Sequence, residues 1–266
     1  MSPVEGAAIE LEIDRLAAGG DGVGRHDGCV VFVPRTAPGD HVRVTIERAH
    51  ARYARGSLIE ILEEGPERRP PPCPFYSRCG GCSWMHLTER AQRKAGTTIV
   101  RDALERIGNV GETPPIEELS GPRSLGYRSR ARVAIARGRI GFYERGSHRV
   151  VDVARCAVLD APTQSALEEL RARRPASHGE IEIRGFGEKA QVGDRLLHVP
   201  QGAFFQVNGL LWGEWQRKVA EACGEGRLAV ELYGGIGFYT ILLESRFDRV
   251  IVVDRGPGAQ GARMNT

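Results

Sequence analysis

The sequence contains no apolar run long enough to span a membrane, which takes about 20 residues in a helix. Its N-terminal segment, MSPVEGAAIELEID, is acidic, whereas a secretory signal starts with a basic segment followed by an apolar one. It also has no internal repeats. The sequence therefore predicts neither a membrane span nor Sec export, and it predicts a cytoplasmic location.

Lysine is scarce: 37 residues are Lys or Arg, and only three of these are Lys. Two explanations are open for this bias. One is codon usage in a GC-rich genome, and the other is a phosphate-bearing partner, because the guanidinium group of arginine matches phosphate oxygens. The net charge of +3 hides an uneven distribution, because residues 121–155 hold nine Arg against Glu144 and Asp152 while residues 1–70 are net acidic. The basic segment predicts a polyanionic partner. A solvated pair of charged strands is the alternative.

The N-terminal part of the chain has the pattern of a small β-barrel. Short segments of alternating apolar and polar residues predict strands at 8–14, 29–34, 41–48 and 56–64. The Gly-rich segment 18–28 is expected to be a turn, and the proline-rich segment 65–74 a boundary between structural units. These features predict a barrel of about sixty residues.

The middle of the chain mixes helices and strands. Helical spacing predicts helices at 88–108, from Thr88 to Gly108, and at 161–174, capped by Thr163 or Ser165. Alternating segments predict strands within 126–153 and in EIEIRGF and HVPQGAFFQV. Three arginines of the first strand share one face and form a basic stripe that is expected to contact RNA: Arg128, Arg130 and Arg132.

The C-terminal part has the order of a βαβ unit. A helix at 209–226 precedes a buried strand that runs into glycines at 227–237, then a helix at 238–245 and a second strand at 248–254. This order is typical of a nucleotide-like cofactor site. The fold class is thus multidomain, with a β-barrel, a central α+β unit and a partial α/β Rossmann-like unit. The predicted domains are residues 1–66, 67–198 and 199–266.

Three of the six cysteines are closely spaced. Cys73, Cys79 and Cys82 form C-x5-C-x2-C with two glycines between the last pair, a spacing that lets thiolates converge on a metal. Cys156 is the candidate for a fourth ligand. Zinc and an iron–sulfur cluster both satisfy four thiolates, while a disulfide framework and inert buried thiols are the alternatives. The two remaining cysteines are expected to be packing residues: Cys29 and Cys223.

The segment Glu231-Leu-Tyr-Gly-Gly-Ile-Gly237 is a candidate cofactor loop. Glycines let the backbone approach a cofactor, and an acid about twenty residues downstream binds ribose hydroxyls. Asp254 lies at that distance from Gly235. Dinucleotides and S-adenosylmethionine share this geometry, but the absence of G-x-G-x-x-G favours the methyl donor. An ordinary βαβ turn is the alternative.

Taken together, these motifs resemble the RNA uracil-5-methyltransferases, which use S-adenosylmethionine to make 5-methyluridine in ribosomal or transfer RNA. The resemblance covers nearly the whole chain. It implies an OB-like TRAM barrel that binds RNA, a central unit with a [4Fe–4S] cluster, and the start of a methyltransferase domain, in a monomeric protein. Its segments occur here in the family's order: AGGDGVGRHDGCVVFVPRTAPGD, CPFYSRCGGCSWMHL, YRSRARVAI, GFYERGSHRVVDVARC, GAFFQVN and ELYGGIGFYTILL.

The resemblance also assigns roles to individual positions. The cluster ligands would be Cys73, Cys79, Cys82 and Cys156. The cofactor contacts would be Gln206, Tyr233 and Asp254, together with Gly235 and Gly237 of the loop. Three positions depart from the family: Gly234, where Cys is frequent; Phe238, where a polar residue is usual; and Asp254, where Glu is more common.

No catalytic residue is assigned in this sequence. The family's nucleophile is a Cys in a downstream Ser-Cys-Asn-Pro-like motif, and a Glu beyond it acts as the base. Neither motif occurs here. Two parallel strands also leave apolar surface exposed, because parallel sheets are covered on both faces. The expectation is therefore a C-terminally truncated methyltransferase. The alternative function is a non-catalytic RNA-binding iron–sulfur or zinc protein.

Overall fold

The computed structural model describes residues 3–176 and 178–265. The chain forms two compact units: Met1–Leu119 with Tyr143–Val151, and Ser120–Phe142 with Asp152–Thr266. The predicted domain boundaries after residues 66 and 198 stay predictions.

A closed five-stranded barrel begins the first unit, as the sequence predicted. The strands are β1 (Ala8–Leu16), β2 (Gly22–His26), β3 (Cys29–Val33), β4 (His41–Ala49) and β5 (Tyr53–Glu63). They follow the order β1-β2-β3-β5-β4, with a parallel pairing of β3 with β5 and antiparallel pairings elsewhere. Closure leaves no strand edge unpaired. Val31, Val33, Val42 and Val44 are fully buried in its core.

Strand β2 lies inside the Gly-rich segment 18–28, so the prediction that this whole segment is a turn was wrong. A Cβ at Gly22 would lie 2.0 Å from Thr36 Oγ1, and one at Gly24 would lie 2.2 Å from the carbonyl oxygen of Glu12. These glycines therefore allow close packing within the barrel. A sequence pattern does not separate that role from a turn.

Helix α1 (Glu89–Asp102) follows in the first unit, close to its predicted position. Thr88 caps it, since its hydroxyl oxygen accepts a hydrogen bond from Ala91 N–H at 3.2 Å, which satisfies one of the free amides at the start of the helix. The helix continues as a π-helical turn over Ala103–Ile107 and ends at Gly108.

A four-stranded sheet with a helix packed beside it lies largely, but not wholly, in the second unit, because Tyr143–Val151 is assigned to the first. The elements are β6 (Arg130–Ala136), β7 (Arg139–Tyr143), β8 (Val150–Asp152), α2 (Ala161–Arg173) and β9 (Gly179–Arg184). The strand order is β8-β7-β6-β9, and Leu167 of α2 is fully buried against this sheet. The predicted cap was wrong, because Asp160 caps α2 by accepting a hydrogen bond from Thr163 N–H (2.8 Å).

The rest of the second unit contains a hairpin and the predicted parallel βαβ unit. The elements are β10 (Lys189–Val192), β11 (Arg195–His198), α3 (Trp212–Cys223), β12 (Gly226–Leu232), α4 (Thr240–Leu243), β13 (Phe247–Val253) and α5 (Pro257–Asn265). Leu228, Val230 and Leu232 are exposed on β12, so apolar surface is uncovered as expected. No helix in the described ranges has the length and apolarity needed to cross a bilayer.

The strand predicted for HVPQGAFFQV was wrong beyond its first residue. Strand β11 ends at His198, and residues 199–208, which we call the Gln206 loop, are neither helix nor strand. Side chains replace strand partners here. For example, Arg184 donates hydrogen bonds to the carbonyl oxygens of Val199 (2.6 Å) and Pro200 (2.9 Å).

Candidate functional site

The loop between β12 and α4 has an unusual backbone. Tyr233, Gly235 and Gly237 have φ angles of 58°, 60° and 80°, a region that L residues rarely adopt. A Cβ at Gly234 would lie 2.4 Å from Val252 Cγ1. This close contact gives a physical reason for glycine at a position where the resembled family often has Cys.

Asp254 meets this loop from the end of β13, as the sequence predicted. Gly235 N–H donates a hydrogen bond to Asp254 Oδ2 (2.7 Å), and Arg255 N–H donates to Oδ1. A carboxylate bonded to a backbone N–H is a strong, charge-assisted acceptor. The carboxylate therefore fixes the loop and lies where the two strands end.

Glu231 and Thr240 complete the loop, and the sequence analysis did not assign them a role. The Thr240 hydroxyl donates to Glu231 Oε2, which links the end of β12 to the start of α4. Burial raises the pKa of Glu231, and the nearby negative charge of Asp254 raises it further, because both disfavour the charged carboxylate. The hydrogen bond from Thr240 opposes this shift. The signal that could have found this pair was the Glu in the loop motif itself.

Gln206 contacts the cofactor loop through Tyr239. Burial and the negative charge of Glu231 raise the pKa of Tyr239. The hydrogen bond between the Gln206 side chain and the Tyr239 hydroxyl lowers this pKa by a smaller amount. The backbone of Gln206 is fixed separately, since Trp212 Nε1–H donates to its carbonyl oxygen (2.9 Å). The structure thus joins Gly235 to Asp254 directly, and it links Gln206 to Tyr239, which follows the loop.

An aromatic cluster supports the Gln206 loop from below. Phe205 is buried, and its ring centroid lies 4.7 Å from that of Trp212 and 5.6 Å from that of Phe238. Phe238 is therefore a core residue here, which accounts for an apolar side chain where the family has a polar one. Phe204 points the other way and is 71% exposed.

The three arginines of the predicted RNA stripe lie in different environments. Arg128 Nε–H donates to the carbonyl oxygen of Arg130 (3.2 Å), and Arg130 is largely buried in an ion pair with Glu182. Arg132 is exposed and lies 3.4 Å from Glu180. RNA contact by these residues stays a prediction, but the guanidinium of Arg130 has its hydrogen-bond acceptors inside the protein.

Arg130 and Ser129 hold the Gln206 loop by its carbonyl oxygens. Arg130 Nη1–H donates to Ala203 O (2.9 Å), and Ser129 N–H donates to Val207 O (2.9 Å). Together with the Trp212 bond to Gln206, these contacts fix the loop on both sides of Phe204. Such support restricts the positions that Gln206 can adopt.

The cysteines form no disulfide in the described part of the chain. Cys73, Cys79 and Cys82 lie in the first unit, where Gly81 N–H donates to Cys79 Sγ (3.4 Å), and Cys156 lies in the second. Within the described residues, no three His, Cys, Asp or Glu side chains are gathered closely enough to hold a metal ion.

The two other cysteines differ from each other. Cys29 is buried in the barrel core, as expected of a packing residue. Cys223 is exposed at the end of α3, so the prediction that it packs in a core was wrong. The sequence does not show whether another element covers the end of a helix.

Comparison with known proteins finds a domain family and several relatives of the chain. The TRAM domain family matches residues 4–59. The chain is 31% identical over 265 residues to an uncharacterized RNA methyltransferase, Bd3828, of Bdellovibrio bacteriovorus, covering 96% of this chain and 67% of the relative. It is 38% identical over 211 residues to the 23S rRNA (uracil(1939)-C(5))-methyltransferase RlmD of Chromohalobacter salexigens, covering 74% of this chain but 43% of that protein.

A solved structure shows the same fold. It is the Pyrococcus abyssi tRNA (uracil-54, C5)-methyltransferase in complex with S-adenosyl-L-homocysteine, with a TM-score of 0.66 and 21% identity. The match covers 96% of this chain and 75% of that one.

Proposed function

Since the chain belongs to the RNA methyltransferases, we propose that it acts in the transfer of a methyl group from S-adenosylmethionine to C5 of a uridine in ribosomal or transfer RNA. The relative from Chromohalobacter salexigens is named for uracil-C5 methylation of ribosomal RNA. The observation that carries the proposal is the hydrogen bond between Gly235 and Asp254, which joins the Gly-rich loop after β12 to the acid that follows β13.

The residues around this loop are suited to hold the cofactor. The Asp254 carboxylate would accept hydrogen bonds from ribose hydroxyls. Gln206 and the exposed ring of Tyr233 would make the other contacts, with Gly235 and Gly237 allowing close approach of the backbone. When bound, S-adenosylmethionine supplies an electrophilic methyl group.

On the RNA side, the reaction demands an exposed base. C5 of uracil is a poor nucleophile until a thiolate adds to C6, and a base must then remove the C5 proton. The uracil must first leave its stack. Phe204, exposed beside Gln206, offers an aromatic face on which an extruded base can stack.

A methyl-transfer assay tests the proposal. The purified chain is incubated with S-adenosyl-[methyl-³H]methionine and unmodified ribosomal or transfer RNA, and the RNA is digested to nucleosides. Since no nucleophilic Cys is assigned within residues 1–266, we expect label in 5-methyluridine when a segment carrying the Ser-Cys-Asn-Pro-like motif is also present, and binding of S-adenosylhomocysteine without transfer by residues 1–266 alone. RNA that contains 5-methyluridine in place of uridine is the control and should take no label, because its C5 has no proton to lose.

Two outcomes would contradict the proposal. Label in a different nucleoside would exclude uridine C5 as the target. Saturable binding of S-adenosylhomocysteine and RNA without any transfer, even when a segment carrying the Ser-Cys-Asn-Pro-like motif is present, would favour the alternative, a non-catalytic RNA-binding protein.

An iron–sulfur cluster stays a prediction from the cysteine spacing, with zinc as the alternative. Four thiolates would bind a [4Fe–4S] cluster. Anaerobic purification should then give a brown protein containing iron, and serine at Cys73, Cys79 or Cys82 should remove the colour. A colourless protein with stoichiometric zinc would exclude the cluster, and Cys223→Ser serves as the matched control.

A further inference from the structure

The second unit contains a cleft that is separate from the cofactor loop. It has a volume of about 670 Å³ and lies between the turn joining β6 to β7 and the C-terminal end of α2. Its lining residues are Gly138, Ile140, Arg171, Ala172, Arg174 and Pro175.

The floor of the cleft is an ordered ion pair. Arg171 donates to both carboxylate oxygens of Asp152 (2.7 and 3.1 Å) and to the carbonyl oxygen of Ile140 (2.8 Å). The Arg171 hydrogen bond is the largest cause that lowers the pKa of Asp152, so this carboxylate is ionised and already occupied. It forms its ion pair with Arg171, and the charge of Arg139 also acts on it at longer range.

The rim of the cleft carries further positive charge. Arg137 and Arg139 flank Gly138 in the turn, and Arg174 follows α2; all three side chains are exposed. In residues 3–176 and 178–265, none of these three lies within ion-pair distance of a carboxylate. Arg174 thus lines the concave surface, and the exposed Arg137 and Arg139 lie on either side of its lining residue Gly138.

Two of these arginines have a backbone that does not favour them. Arg137 and Arg174 have φ angles of 52° and 45°. Both angles lie in the left-handed region, where glycine or asparagine is preferred. Arginine at both positions therefore costs stability relative to asparagine. Arg174 is the C-cap of α2, and Arg137 is the first residue of the two-residue turn between β6 and β7, which are the positions where a left-handed backbone is needed.

We propose that this cleft binds the phosphate backbone of the RNA substrate. The inference rests on the proposed function and adds to it a second RNA contact, away from the cofactor loop. Arginine forks match phosphate oxygens, and phosphate contacts position an RNA without reading its sequence. An acidic protein fits less well, because the one large apolar side chain of the lining, Ile140, is buried, and protein interfaces have an apolar core.

The test compares full-length variants in binding a fluorescein-labelled unmodified RNA hairpin at several salt concentrations. In the first, Arg137→Asn and Arg174→Asn are combined, which removes two charges and relaxes the backbone. We expect roughly tenfold weaker binding at low salt and a salt slope smaller by about 1.4 to 1.8, the value for two phosphate contacts. The melting temperature should stay equal or rise, which shows that the fold is intact.

Two variants serve as matched controls. Arg173→Gln also removes a charge from the end of α2, but Arg173 pairs with Glu169 (3.5 Å) and does not line the cleft, so RNA binding should be unchanged. Arg137→Lys with Arg174→Lys keeps the charges and should keep most of the affinity.

The outcomes separate this inference from the proposed function. If the wild-type chain methylates uridine but the asparagine variant binds RNA as tightly as Arg173→Gln, the cleft proposal is wrong and the function stands. If wild-type chain binds RNA through the cleft but labels another nucleoside, only the function fails. If the asparagine variant loses binding to polyglutamate and keeps binding to RNA, the cleft is a site for an acidic protein and the proposal is overturned.

Discussion

Replacing Arg130 with alanine is expected to lower the free energy of unfolding by about 1.5–3 kcal/mol, because it removes a charge-assisted hydrogen bond to the buried carboxylate of Glu182. The side chains of Arg130 and Glu182 are each only 14% exposed. Arg184 also pairs with Glu182, so one carboxylate is held between two buried guanidiniums. Urea denaturation followed by circular dichroism measures the change.

Arg132→Ala is the matched control, two residues along the same strand. The Arg132 side chain is 73% exposed, and its Nε lies 3.4 Å from Glu180. An exposed pair of this kind contributes at most about 1 kcal/mol. Equal small effects of both substitutions would contradict the structural role of Arg130. Arg130→Lys should recover part of the stability but not the second hydrogen bond, since lysine cannot bond Glu182 and Ala203 as a planar fork.

Arg130→Ala should also weaken cofactor binding, because Arg130 holds the loop that carries Gln206. The affinity for S-adenosylhomocysteine should fall under conditions where the variant is still fully folded. Arg132→Ala should leave that affinity unchanged. A loss of stability with full cofactor affinity would show that the loop keeps its position without Arg130.

Arg130 and Arg132 differ in burial, and the sequence did not predict this difference. Alternation predicted that Arg128, Arg130 and Arg132 share one face of a strand; strand β6 begins at Arg130, so it carries Arg130 and Arg132 but not Arg128. Which of them is covered depends on β9 and on the Gln206 loop, which lie more than fifty residues away in sequence. Side-chain patterns along one strand carry no information on such distant partners.

The cofactor loop was more predictable because its geometry is set by short segments. A buried strand, glycines, a helix and a second strand fix a parallel βαβ unit, and the register places Asp254 beside Gly235. Strand β2 was missed for the opposite reason. Gly22 and Gly24 were interpreted as turn residues. Their role is instead to allow close contact with other segments of the barrel, and the sequence pattern does not show which segments those are.

Asp254→Ala is expected to reduce the affinity for S-adenosylhomocysteine roughly 10- to 100-fold. Hydrogen bonds to a charged group contribute about 1.5–3 kcal/mol each, and about 1.4 kcal/mol corresponds to tenfold in affinity. The substitution also leaves Gly235 N–H without its acceptor, so the loop loses a fixed point. Isothermal titration calorimetry measures the affinity, and Asp248→Ala, an exposed aspartate on β13, is the control that should change nothing.

Two roles of Asp254 can be separated. Asp254→Asn keeps an oxygen that accepts from Gly235 N–H but lacks the charge that favours ribose hydroxyls as donors. If Asp254 binds the ribose, the wild-type chain should lose affinity for the 2′-deoxy analogue of S-adenosylhomocysteine, and the alanine variant should bind both ligands equally, a double-mutant cycle between protein and ligand. If the asparagine variant binds as tightly as wild type and the analogue is not discriminated, Asp254 acts only by holding the loop. In that case another residue must bind the ribose. The Gly235 amide is not a candidate, because it already donates its hydrogen bond to Asp254.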